Sequence, residues 1–169
     1  MTSLSFPEQI YKKLLARMDE RPEQVGFMLA SKAGSDIFRV HELRLVEGHR
    51  FASWSDEHAE ADDAIRGEMI QWAWREDACL VEAHSHGRGF VPARFSRFDF
   101  SQFEEWVPHV RWRLRQRPYF ALVTAGDEID ALAWLGANAE AIARISVDRH
   151  ADVFPSGESI AYLEAQHDR

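Results

Sequence analysis

The sequence predicts an α/β or α+β sandwich, with one mixed β-sheet flanked by helices. Three observations lead there. Segments of helical periodicity alternate along the chain with short apolar runs that read as strands. Turn residues such as Ala33-Gly34-Ser35-Asp36 punctuate the boundaries between them. A composition of 46% hydrophobic and 28% charged residues is that of a folded protein, and 169 residues suit one domain, its core over about residues 9–135.

In chain order, residues 7–20 carry Ile10, Leu14, Leu15 and Met18 at helical spacing, with Pro7 near the first turn. Gln24 to Ser31 and Ile37 to Val46 read as strands either side of the turn at 33–36. Gly48 ends the second, and Arg50 to Trp54 suits a third. Ser55 is the expected N-cap of a helix running to about Arg75, with Asp56 and Glu57 at its positive end and Ala61, Ile65, Met69 and Trp72 on its apolar side. Cys79 to His84 reads as a buried strand and residues 87–95 as a loop. Ser96 opens a second helix to about Arg117, bearing Phe100, Phe103, Trp106, Val107, Val110 and Leu114; Pro108 inside it predicts a kink or a division. Tyr119 to Thr124 and Ile129 to Trp134 form a hairpin. Ala139 to Val147 is open between helix and strand, and the tail after His150 is unassigned.

The net charge of −8 argues against a nucleic-acid binder. No run approaches the roughly 20 apolar residues of a membrane span, and Met1 to Glu8 has no signal-peptide pattern. Cys79 is the single cysteine, which excludes an intrachain disulfide and a cysteine zinc cluster. Together these give the expectation of a cytoplasmic protein. Five carboxylates between Asp56 and Asp63, and seven arginines against three acids between Arg88 and Arg117, read as solvated surfaces.

The chemistry concentrates in Val81-Glu82-Ala83-His84-Ser85-His86 and Ser96-Arg97-Phe98-Asp99. Strand side chains alternate, so His84 and His86 leave by one face, at the end of the strand where a substrate can reach. Two neutral imidazoles side by side suit a divalent cation. Ser96 and Asp99 form a helix-start pattern, and that first turn faces the preceding loop, where Asp99 can supply a third ligand. Three protein ligands and an open position are the arrangement of catalytic zinc.

His84-x-His86, nine residues, then Ser96-x-x-Asp99 resembles the motif of the JAMM/MPN metalloproteases. Glu23-Gln24-Val25-Gly26-Phe27-Met28-Leu29-Ala30 is similar to that family's early Glu-x-x-Gly-x-Leu-x-Gly, with Met28 and Ala30 as departures. Gly87 stands where the family usually has proline, and the loop to Ser96 is longer than its commonest form. The resemblance implies the MPN/JAB fold, which is cytidine-deaminase-like. It implies one catalytic Zn2+ held by His84, His86 and Asp99, with Glu23 taking a proton from the zinc-bound water and Ser96 stabilising the oxyanion. Glu82, on the same strand face, is then a supporting group or a rival base. His41, His49, His58, His109, His150 and His167 have no comparable spacing and are expected not to be ligands. Phe90, Val91 and Phe95, apolar and on the loop beside the site, are the expected substrate contacts.

The implied activity is a zinc isopeptidase or peptidase cutting after the C-terminus of a ubiquitin-like modifier. Its partners would be that modifier, its conjugates, and activating-like or conjugating-like enzymes of the same system, with neither nucleic acid nor membrane among them. The alternatives are a zinc peptidase acting on a sulfur-carrier protein or a small amide, and a non-catalytic MPN scaffold.

Overall fold

The computed structural model describes residues 1–55 and 58–167. Its element order is β1 (Ser3–Phe6), α1 (Glu8–Met18), β2 (Val25–Lys32), β3 (Ile37–Leu45), β4 (Phe51–Ser55), β5 (His58–Ala61), α2 (Asp63–Arg75), β6 (Cys79–His86), α3 (Arg97–Arg113), β7 (Tyr119–Ala125), β8 (Glu128–Trp134), β9 (Glu140–Ala141), β10 (Arg144–Val147) and α4 (Glu158–His167). Eight strands form one mixed sheet in the order β10-β1-β3-β2-β6-β7-β8-β9, and β4 and β5 form a separate hairpin. The mixed sheet with helices on both faces is the predicted fold class.

Alternation along the strands divides the core in two. Val25, Phe27, Leu29 and Leu80 point to the face covered by α2, α3 and α4, where Trp72, Phe103 and Val107 meet them. Met28, Ala30, Val81 and Ala83 point to the other face, against Leu14 and Met18 of α1. Central strands buried on both sides read as continuous apolar runs, as β7 does. The sheet changes sense at β6, which is antiparallel to β2 and parallel to β7. The C-terminal end of β6 therefore opens beside the starts of β2 and α3.

The structure corrects the start of the second helix and decides two readings that the sequence leaves open. Ser55 ends β4 and does not cap a helix; α2 starts at Asp63, where the Asp62 carboxylate accepts from the Ile65 N–H at 2.6 Å. Ala61 belongs to β5, and Asp56 and Glu57 lie outside the described residues. Pro108 does not divide α3, because Val107 and Val110 anchor the helix to the core on both sides of the missing hydrogen bond. The open stretch at 139–147 holds two strands, β9 and β10, and β10 pairs in parallel with β1, a strand ahead of Pro7 with no separate sequence signal.

Trp72 and Trp134 are core residues, whereas Trp74 and Trp112 are exposed beneath the guanidinium groups of Arg115 and Arg113. Among the described residues no helix is long and apolar enough to cross a membrane.

Candidate metal centre

His84 and His86 leave β6 on the face covered by α2 and α3. Ser85 between them turns to the opposite face and does a different job. Its Oγ accepts from the Gln24 N–H at 2.8 Å, and its own N–H donates to the Gln24 carbonyl at 3.0 Å. This reciprocal pair ties the residue after Glu23 to the residue between the two histidines.

Glu23 is held from its other side as well. Its N–H donates to the Ser55 carbonyl at 3.3 Å, and its carbonyl accepts from Trp54 Nε1 at 2.6 Å. The Trp54 ring in turn lies over Gly48, where a Cβ would sit 2.5 Å from it; only glycine leaves that space. Glu23 lies two residues before β2 rather than within a strand, and it is buried. At Gly87 a Cβ would lie 2.7 Å from Arg21 Nη1, the far end of a flexible side chain that can shift aside.

Ser96 and Asp99 form a full capping box at the start of α3. Ser96 Oγ accepts from the Asp99 N–H at 3.2 Å, and Asp99 Oδ2 accepts from the Ser96 N–H at 2.6 Å. The box leaves the Ser96 hydroxyl proton without another acceptor among the described residues, so the side chain remains a donor towards the cavity. It also sets the Asp99 carboxylate facing the histidines.

The resulting geometry is specific. His84 Nε2 and His86 Nε2 are 3.2 Å apart, and Asp99 Oδ1 and Oδ2 lie 3.4 Å from His84 Nε2 and His86 Nε2 respectively. A tetrahedral ion with ligand bonds of roughly 2.0–2.1 Å requires donor–donor edges of about 3.3–3.4 Å. The two imidazole nitrogens and the Asp99 carboxylate thus lie close enough together to hold one such ion, with one ligand atom from each residue within 4.8 Å of the others. They are the one group of this kind among the described residues.

Electrostatics point the same way. Burial works to lower the His84 pKa, but the carboxylates of Asp99, Glu82 and Glu23 outweigh it and raise it to about 9. Burial would also raise Asp99, yet the two imidazoles hold it far below the usual carboxylate range. His86 is lowered, by burial foremost and also by its charged neighbour His84. Without a metal, the neighbouring carboxylates favour a proton on His84, which a cation bound there would have to displace.

Glu82 faces the same cavity but is engaged elsewhere. Tyr119 Oη donates to its Oε2 at 2.6 Å, and Trp106 Nε1 donates to Tyr119 Oη at 2.9 Å. That chain fixes Glu82 beneath the histidines, and its Coulombic effect on His84 is its evident contribution.

A cavity of about 640 Å3 contains Glu23, Glu82, His84, His86, Ser96 and Asp99. Phe90 and Val91 stand on its rim, each more than half exposed, and the Phe90 ring lies 5.7 Å from His86. Phe95 also lines the cavity, but it is 1% exposed and packs on Phe103 and His84, with ring centres at 5.1 and 5.4 Å, so most of its surface supports the core. His58 of β5 also reaches the cavity, its ring edge-to-face with Phe98 at 4.7 Å, a placement that sequence spacing does not indicate. The other histidines with described side chains line no part of this cavity.

The fold and this group of three residues, which could hold a metal ion, are those of a JAB-type domain. A family model of prokaryotic homologues of the JAB domain matches residues 8–144. The chain belongs to that family, which includes hydrolases as well as members without catalysis. Among solved structures, the chain is similar to protein DSY2949 from Desulfitobacterium hafniense, at 17% identity and a TM-score of 0.54, covering 87% of this chain and 94% of that one. That likeness is one of fold. No curated protein matches the chain.

Proposed function

We propose that this chain is a zinc-dependent peptidase or isopeptidase that hydrolyses the amide bond after the C-terminus of a ubiquitin-like modifier. One observation carries the reading. A three-residue ligand set lines the same cavity as a carboxylate, Glu23, and a hydroxyl, Ser96, neither of which belongs to the set.

His84, His86 and Asp99 would hold the ion. Zinc bound there supplies an acidified water and a Lewis-acid contact for the scissile carbonyl. Glu23 takes the proton from the attacking water and passes it to the leaving amine, with its backbone pinned by Trp54 and Ser55 so that the carboxylate needs little reorganisation. Ser96 donates a hydrogen bond through its hydroxyl to the carbonyl oxygen as negative charge develops there. Glu82, already hydrogen-bonded to Tyr119, orients and tunes.

An extended modifier tail suits the rest of the cavity. The hairpin strand β5 pairs with β4 on one side only, and His58, Ala59 and Glu60 line the cavity wall. A tail can add to that edge as a strand and place apolar side chains against Phe90 and Val91. Activating-like and conjugating-like enzymes of the same modifier system are the accompanying partners in this reading.

The test is incubation of the zinc-loaded protein with candidate modifiers carrying a reporter after their last residue. Release of the reporter at that bond is the expected result. Turnover of small amides with none of the fusions would contradict the modifier assignment, and no hydrolysis at all by a zinc-loaded protein would contradict the enzyme.

A further inference from the structure

We propose that the C-terminal segment 153–167 is a clamp that sets the position of the helix start carrying Asp99, with Ser159 and Asp130 as positioning residues. The proposal rests on the reading of His84, His86 and Asp99 as a metal site, though its first test does not. The segment lies beyond the 8–144 span that the family model matches.

The links are consecutive. Ser159, fully buried at the start of α4, accepts from the Phe95 N–H at 3.0 Å through its Oγ. Its own N–H donates to Asp130 Oδ2 at 2.8 Å. Asp130 Oδ1 accepts from the N–H groups of Gly157 and Ala131, each at 3.0 Å. Two residues earlier on the loop, the Ala93 N–H donates to Glu128 Oε2 at 2.9 Å, and the Ala93 carbonyl accepts from Ser156 Oγ at 2.5 Å. The loop before Ser96 is thus fastened at two points to β8 and to the lead-in of α4.

Asp130 explains the purpose. A carboxyl group that is 1% exposed is costly to hold away from water unless its oxygens are satisfied. Here three backbone N–H groups satisfy it, two of them from the start of α4, so β8 caps that helix across the fold. Asp130 takes no part in the proposed hydrolysis. Its consequence is that Ser159 is presented to Phe95 in one position. Phe95 precedes Ser96, the capping box sets Asp99, and Asp99 must stay within 3.4 Å of both histidines. A displacement of roughly 1 Å is enough to spoil such a site. The same helix lends Glu158 and Tyr162 to the cavity wall, Tyr162 stacking on Phe100 at 5.7 Å.

Ser159→Ala removes the acceptor and leaves the backbone of α4 intact. In the metal-free protein, amide hydrogen exchange at Phe95 should speed up at least about tenfold while the β6 amides are unchanged. In the metal-loaded protein, zinc affinity measured by chelator competition should fall roughly 10-fold to 100-fold. Ser159→Thr keeps the acceptor and should restore both. Should Ser159→Ala fail to fold, Ser156→Ala cuts the second fastening and should lower zinc affinity in the same direction. Unchanged Phe95 exchange with unchanged zinc affinity in Ser159→Ala, or wild-type affinity in a folded Ser156→Ala, would overturn the clamp. A wild type that binds no zinc would defeat the metal reading, and the exchange comparison at Phe95 would still decide the clamp.

Discussion

The two sides of the cavity are built to different standards. On the side of β6 and α3, His84, His86 and Asp99 are mostly buried, and a capping box and the reciprocal Gln24–Ser85 pair fasten the backbone around them. On the rim, Phe90 and Val91 are more than half exposed, and the stretch 87–92 has one backbone hydrogen bond of its own, from the Phe90 N–H to the Gly87 carbonyl. Buried, satisfied polar groups keep ligand atoms to within tenths of an ångström, as chemistry requires. An apolar, lightly tied loop adapts to what it meets. Under the proposed function, the first side is the place of reaction and the second that of recognition.

The largest effect should come from breaking the first side without disturbing its metal. Glu23→Gln keeps the shape but loses the base, so kcat should fall roughly 10²-fold to 10⁴-fold with zinc content, substrate affinity and melting temperature near wild type. Glu82→Gln should cost much less. An active Glu23→Gln beside an inactive, zinc-loaded Glu82→Gln would reverse the two roles.

Ser85→Ala probes the fastening rather than the chemistry. It leaves the buried Gln24 N–H without its acceptor, which costs about 1–3 kcal/mol. Urea denaturation should show a lower midpoint with an unchanged slope. A variant as stable as wild type would mean that the pair contributes no net stability.

On the recognition side, Phe90→Ala should raise KM roughly tenfold, the scale of a single apolar anchor, with kcat and zinc content unchanged. Shortening the loop by two residues should act in the same direction. If either change lowered kcat alone, the division between the two sides would be wrong.

The smallest effect concerns Cys79, which points to the face away from the site. Burial raises its thiol pKa to about 11, so at neutral pH the reactive thiolate is scarce and enclosed. A thiol reagent should label it only on unfolding; rapid labelling of the native protein would show that β6 opens.

The parts of the site that sequence made legible are those built by short-range rules. His84-x-His86 follows from strand alternation, and Ser96-x-x-Asp99 from helix capping. Both depend on residues a few positions apart. The parts that stayed hidden depend on residues far apart in the chain. Phe95 reads as a loop hydrophobe because its buried partners, Phe103 and Ser159, come from other elements. Ser55 reads as an N-cap because Asp62 supplies the same signal a few residues later, and the polar β5 carries no apolar alternation to separate them. The role of Trp54 in pinning Glu23 required the fold to bring β4 beside the start of β2.

His84 and His86 of β6 and Asp99 of α3 together form the proposed metal site, and elemental analysis of the purified, zinc-reconstituted chain beside His86→Ala tests it most directly. About one zinc per chain is expected in the wild type and a loss of most of it in the variant, which removes one of the three ligands. A wild type free of metal, or a His86→Ala protein still fully loaded, would contradict it.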